Sequence, residues 1–425
     1  MNAPGTPTTE RLISLDAYRG FIMLVMASGG FGFAAVAAKI DDASRWTGVW
    51  DVLGYQFSHV AWTGCSFWDL IQPSFMFMVG VALPYSYASR VAKGQARGRI
   101  AGHAAIRAAV LVAIGVFLSS NGATRTNFVF TNVLAQIGMG YCLLYLVLGR
   151  GLAVQVVAAA VILVGYWLLF RLYPVPPDDF DWKTVGVPDD WELFLGTAAH
   201  WNKNANAAAA FDQWFLNLFP RGEPFHFNDG GYQTLNFVPS LATMIFGVMA
   251  GELLRSDREP RSKRNRLFVA GGACLLFGLV VDHTIWPNRL MSAVEWLVWR
   301  VSGPTSFVMD PAWTLCPIVK RIWTPSFAVF STGWTLWMLA AFYWVIDMEG
   351  LRRWSFPLVV VGMNSIAMYC MSQLLKPWVR SALRTHIGQH IFAGTLGPII
   401  ESVSVLVALW LACWWMYRKR VFVRI

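Results

Sequence analysis

Charge is the scarcest commodity in this chain: Asp, Glu, Lys and Arg make up 14% of 425 residues, against 56% hydrophobic. A water-soluble globule of this length is excluded, because most of that apolar surface would find no core to enter. Cysteine is also sparse. The six cysteines, Cys65, Cys142, Cys274, Cys316, Cys370 and Cys413, stand singly with no C-x-x-C pair, so neither a zinc site nor a disulfide scaffold is indicated, and no metal is expected. The first residues carry Pro4, Gly5 and Pro7 where a signal peptide needs a basic stretch and an apolar run. No cleaved signal is expected, and the first membrane helix serves as the insertion signal. Basic runs interleaved with stacking aromatics are absent too, so the net charge of +10 does not point to nucleic acid.

What the chain has in abundance is apolar runs of about 20 residues, the length that crosses a bilayer as a helix. They predict an all-α polytopic transmembrane helix bundle of about ten spans, near 17–38, 67–88, 104–121, 131–149, 152–172, 234–254, 267–285, 325–346, 355–375 and 395–416. The whole chain, 1–425, reads as one integral-membrane domain. Its 22 Trp and 12 Tyr fit belts at the two lipid–water boundaries, so membrane lipid is an expected partner.

Cations gather on alternate loops: Arg90, Lys93, Arg97 and Arg99; then Arg150; then Arg255 to Arg266; then Arg352 and Arg353; then Arg418, Lys419, Arg420 and Arg424. By the positive-inside rule those loops and both termini are cytoplasmic. The opposite stretches, at about 39–66, 173–233 and 286–324, then lie outside, and the second is acidic, with Asp178, Asp179, Asp181, Asp189, Asp190 and Glu192. Connections this long without evident structure are often functional, and together they could roof one cavity.

The first outer stretch contains the spacing H-x-x-W-x-G-x-x-x-x-D, from His59 through Trp62 and Gly64 to Asp69, just before an apolar run. Histidine titrates near neutrality, so His59 can take and return a proton within one cycle or carry an acyl group as an acyl-imidazole. Asp69 lies ten residues on, about 15 Å away if the chain between were helical. A direct His59–Asp69 pair therefore needs a turn, which Gly64 could supply; otherwise Asp69 caps the following helix. Trp62 reads as an interfacial anchor or as a stacking platform for a sugar. Two basic patches could hold phosphates, one formed by Arg90, Lys93, Arg97, Arg99, His103 and Arg107 and one by Arg255 to Arg266, although both also serve topology. Gln136 and Asn364 are polar groups inside apolar runs, each of which must find a partner in the bundle or line a channel.

The His59 segment resembles the membrane acetyltransferases of the heparan-alpha-glucosaminide N-acetyltransferase family, and the resemblance extends along the chain. Arg11 to Gly20 is similar to that family's R-x-x-S-x-D-x-x-R-G opening, with Asp16 and Arg19 spaced as a salt-bridging pair. Val133 to Ile137 and Gly362 to Ile366 are similar to two later signatures, and the stretches Gly231 to Asn236 and Lys320 to Ser326 are similar to those of bacterial members. The chain departs from the pattern at Ala27-Ser28-Gly29-Gly30, where many members carry an Asn.

The resemblance implies a bacterial acetyltransferase of the cytoplasmic membrane. It would pass an acetyl group from cytoplasmic acetyl-CoA, the sole cofactor and a co-substrate, to an amino sugar or glycan acceptor outside. It assigns His59 and Asp69 to catalysis; Arg19, Arg97, Arg107, Gln136, Asn364 and Ser365 to the donor; and Trp62, Asn236, Lys320 and Trp323 to the acceptor. A homodimer is left open. Two rival classes remain: a small-solute membrane transporter, to which intramembrane polar groups and broken helices also belong, and a membrane scaffold in which His59 is dispensable.

Overall fold

The computed structural model describes residues 12–40, 47–282 and 314–423. Much of the third outer stretch, together with Arg11 and Arg424, lies outside the described residues. The described residues are predominantly helical and contain no strand; the only sheet-like pairing is an isolated bridge of Thr63 and Gly64 with Val319. The main helices are α1 (Ile13–Ser28), α2 (Phe33–Ala37), α3 (Thr47–Gln56), α4 (Ile71–Ala92), α5 (Arg97–Ser119), α6 (Val133–Tyr141), α7 (Leu144–Val147) and α8 (Leu152–Arg171). They continue as α9 (Ala207–Phe215), α10 (Phe237–Arg255), α11 (Pro260–Val281), α12 (Pro325–Phe342), α13 (Phe356–Gly362), α14 (Ser365–Leu374), α15 (Lys376–Ile387) and α16 (Gly397–Arg418).

By length and apolarity, six helices among the described residues can cross a membrane unaided: Arg97–Ser119, Leu152–Arg171, Thr234–Arg255, Pro260–Val281, Pro325–Met348 and Gly397–Arg418. Two bent pairs raise the number to eight if each is one span. The expectation of about ten spans is met by helix at each place but not by ten helices that qualify. The stretch 131–149 divides into α6, nine residues, and α7, four, each too short to span. Helix α4 has 22 residues, enough for about 33 Å, but Gln72, Ser74, Ser86, Ser89 and Arg90 dilute its apolarity.

The bends have local causes. Helix α1 ends where Gly29, Gly30 and Gly32 take positive φ, and the chain resumes as α2 at 52°. Glycine bears that geometry without steric cost. Helices α13 and α14 meet at 69° across Met363 and Asn364, whose φ of −125° and ψ of 36° interrupt the helix.

Helix α10 is central: 67% of its apolar window is buried, as is 61% of that of α12, against 17 to 28% for α5, α8, α11 and α16, which turn apolar side chains such as Val161, Val269 and Leu276 outward. The inner contacts are backbone-close because glycine lies at them. A Cβ on Gly80 would collide with the Met244 carbonyl and one on Gly247 with the Phe77 carbonyl, which locks α4 to α10; Gly20 and Gly362 do the same for α1 and α13. Lipid offers apolar side chains no less favourable a home than a neighbouring helix does, so close packing through small residues is what joins helices in a bilayer.

Gly247→Leu is therefore expected to abolish the folded, monodisperse protein. Gly102→Leu, whose added side chain meets open space, should leave it intact. Size-exclusion profiles of the two variants in detergent check this.

Candidate functional site

The site is assembled where the loop after α3 folds back onto the start of α4. The chain bends at Ala61 and Trp62, and Gly64, at φ 107°, pairs with Val319 while its N–H donates to the Ile318 carbonyl at 2.8 Å. The Ser66 hydroxyl closes the loop on the Ser58 carbonyl at 2.6 Å, and the Phe67 N–H donates to Gln56 Oε1 at 2.9 Å. Asp69 lies in the single 3-10 turn Trp68–Leu70 that leads into α4, and the loop's return brings His59 against it. His59 Nδ1 stands 2.7 Å from Asp69 Oδ1.

Asp69 is fully buried. Its Oδ2 accepts from the Val60 N–H at 3.3 Å, the Ser66 N–H at 3.1 Å and the Ser66 hydroxyl at 2.9 Å. Its Oδ1 faces His59 and, at 3.3 Å, the ammonium of Lys320. Lys320 Nζ also lies 3.0 Å from His59 Nδ1. Asp69 can only accept and the Lys320 ammonium can only donate, so Nδ1 carries a proton when it donates to Asp69 and a lone pair when it accepts from Lys320. In the first tautomer Nε2 carries the lone pair and faces away from both charges. The imidazole is 40% exposed, whereas the side chains of Asp69 and Lys320 are 1% and 5% exposed. Burial lowers the pKa of His59 below its ordinary value of 6.5, and the charges of Lys320 and Arg321 add to that, against the opposing pull of Asp69. The imidazole is neutral at pH 7.

Lys320 is delivered by a tight loop before α12. The Val319 N–H donates to the Thr324 hydroxyl at 3.0 Å, Thr324 caps α12 through the Phe327 N–H, and Asp282 accepts from the Ile318 N–H at 2.6 Å. Next to it Arg321 donates to the carbonyl oxygens of Gly230 at 2.6 Å and Val60 at 3.4 Å, over the Tyr232 ring.

Below the site, a cavity of about 670 Å³ follows α4 from Phe75 to Lys93. Phe75 is six residues from Asp69, about 9 Å along a helix. Near that end the walls are apolar, including Met78, Val79, Val133, Leu134 and Ile137; the far end carries Arg19, Arg90, Lys93, His103 and Arg107. Arg19 sits 3.7 Å from Asp16, and the Arg107 guanidinium lies over the Tyr141 ring and donates to its hydroxyl at 3.2 Å. Ser365 and Ile366 of α14, with Val423, complete the wall.

The other expected residues fall elsewhere. Arg97 heads α5 and is not among the lining residues. Gln136 spends its amide on the carbonyls of Phe130 and Thr234, at 2.8 and 3.1 Å, joining α6 to the segment that enters α10. Asn364 holds the chain after α16, donating to the Val421 carbonyl at 3.1 Å and accepting from the Val423 N–H at 3.0 Å. Trp62 is 6% exposed and donates to the Trp201 carbonyl at 3.0 Å, so it is neither an interfacial anchor nor an open platform. Trp323 is buried against Phe327, and Asn236 donates to the Arg321 carbonyl at 2.8 Å. Arg321, Tyr232 and Trp68, whose ring centroid is 6.2 Å from that of His59, adjoin the site; all three lie in the family-like stretches but are not singled out within them. Among the described residues, no three His, Cys, Asp or Glu side chains group as a metal would require.

A bundle of apolar helices with lipid-type outer faces defines an integral membrane protein. The family described as "Heparan-alpha-glucosaminide N-acetyltransferase, catalytic" matches residues 11–278, which include His59 and Asp69, and the chain belongs to that family. It is 23% identical to heparan-alpha-glucosaminide N-acetyltransferase of Homo sapiens over 458 aligned residues, which cover 98% of this chain and 60% of that protein. The figures for the Mus musculus protein are 22% over 461 residues, covering 98% and 61%. The chain thus spans about 60% of the length of these curated relatives.

Replacing Asp69 by Ala strands the Lys320 ammonium in a buried site, a loss of about 3–5 kcal/mol for a broken buried pair. A large fall in the apparent Tm is expected. His59→Ala removes one partner of Asp69 but leaves the Lys320 pair and the Val60 and Ser66 donors in place, so it should cost less, about 1–3 kcal/mol. Thermal-shift measurements on both purified variants check the contrast.

Proposed function

We propose that this protein is a membrane acetyltransferase that takes the acetyl group of cytoplasmic acetyl-CoA and passes it to an amino sugar or glycan acceptor on the outer side of a bacterial cytoplasmic membrane. The observation that carries the reading is the neutral His59–Asp69 pair standing at one end of α4 while a cavity with a basic far end runs along the same helix. The names of the human and mouse relatives support N-acetyl transfer to an amino sugar.

The cations Arg19, Arg90, Lys93, His103 and Arg107 suit the phosphates of a coenzyme A ester, and the apolar stretch from Leu83 to Phe75 suits the thinner arm that bears the thioester. Donor phosphates then bind at the face where cationic loops gather, and the acyl end reaches His59. As the acceptor amine attacks the thioester carbonyl, His59 Nε2 takes its proton; the C–S bond breaks, and the proton passes to the departing thiolate. In the tautomer whose Nδ1 donates to Asp69, Nε2 is the base. The single domain 1–425 would thus serve both faces, with the stretches 39–66, 173–233 and 286–324 as the acceptor side.

His59→Ala should lower acetyl transfer by at least about 100-fold, the lower range for a positioned acid–base group. Near-normal turnover by that variant removes the assignment. In sealed vesicles of known orientation, acetyl-CoA should support reaction only from the cytoplasmic face and acceptor only from the other; reaction with both supplied on one side refutes the transmembrane route.

Arg90→Gln combined with Arg107→Gln should raise the KM for acetyl-CoA with little change in kcat, because phosphate contacts bind ground state and transition state alike. Steady-state kinetics with acetyl-CoA varied at saturating acceptor measure it.

A further inference from the structure

We infer that Lys320 is a positioning residue for the transfer step: its ammonium, set between His59 and Asp69, cancels the carboxylate's charge and so keeps the imidazole neutral, with one ring nitrogen free to accept a proton. The inference rests on the acetyltransferase reading and deepens it.

A fully buried carboxylate 2.7 Å from an imidazole would, alone, draw a second proton onto the ring. Both ring nitrogens would then be donors, and His59 could accept nothing. The charges facing His59 prevent this. From the turn that leads α4 come Asp69 and the uncharged Trp68 ring; from the loop before α12 come Lys320, 3.0 Å from Nδ1, and Arg321, whose guanidinium is held by the Val60 and Gly230 carbonyls. Asp69 and Lys320 already balance each other at 3.3 Å, so protonating the ring would leave an unmatched positive charge beside two cations. The ammonium cannot drift away to relieve it: Lys320 is 5% exposed and its backbone is tied by the Val319–Thr324 turn and by the bridge to Thr63 and Gly64. A lysine that only bound the acceptor would need no contact with both the imidazole and the carboxylate, and Lys320 has both.

The test uses the full chain in nanodiscs. In Lys320→Gln the acid limb of the kcat/KM profile is expected to move up by about one to three pH units, the usual effect of a neighbouring carboxylate left uncompensated. Activity should then recover at higher pH, the KM for acetyl-CoA should stay unchanged, and Lys320→Arg should restore the original limb. A pH-independent loss, or a rise in acceptor KM with the limb unmoved, overturns the inference in favour of a structural or acceptor-binding lysine. A second measurement needs no turnover: NMR titration of labelled histidine without substrates, with His59 assigned by comparison with His59→Ala. The His59 midpoint should rise in Lys320→Gln and fall back in the double variant Lys320→Gln, Asp69→Asn, which buries no stranded charge. An unchanged midpoint refutes the role of Lys320 even if acetyl transfer is confirmed, and a raised midpoint supports it even if the acetyltransferase reading fails.

Discussion

The site depends on the burial of one carboxylate. Asp69 has no access to water, so its oxygens must be satisfied by the protein or the loop around it would not hold. Three donors from Val60 and Ser66 meet one oxygen; His59 and Lys320 meet the other. The same bonds that satisfy Asp69 therefore fold residues 59–66, orient the imidazole and draw in the segment before α12. Structural and chemical demands coincide at one side chain.

The cavity arises from a different constraint. Glycines let α4 lie against α10 and α1 against α13 with backbones in contact. The cavity borders the second seam at Asp16 and Gly362; elsewhere its walls are longer side chains, from Phe75 to Arg107, and the interruption at Met363 and Asn364 turns α14 away from the line of α13.

Much of this was legible in the chain. Apolar runs located the helices, and His59 and Asp69 do approach, at 2.7 Å, though the chain bends at Ala61 and Trp62 while Gly64 pairs with Val319. What was illegible depends on distant chain. Lys320 lies 261 positions from His59, and no local pattern sets an acceptor-binding lysine apart from one directed at an imidazole. Gln136 and Asn364 were readable as groups in need of partners, but the choice between a carbonyl and a channel turns on helix rotation and on breaks in neighbouring segments. Trp62 is covered by Trp191 and Trp201 from the second outer stretch, and a sequence window around Trp62 holds no trace of them. Apolarity persists through 131–149, where the structure has two short helices, Val133–Tyr141 and Leu144–Val147.

The separation of Lys320 from Asp69 also bears on biogenesis. Helix α4 and its carboxylate leave the ribosome long before the loop that carries the ammonium, and during that interval the nascent chain holds a charge whose counterion has not been made. The early helices can insert, but Asp69 can only shelter as a neutral acid or remain hydrated until α11 and α12 arrive. The site therefore cannot close until most of the chain has been made, and a chain arrested before Lys320 would hold Asp69 without its ammonium.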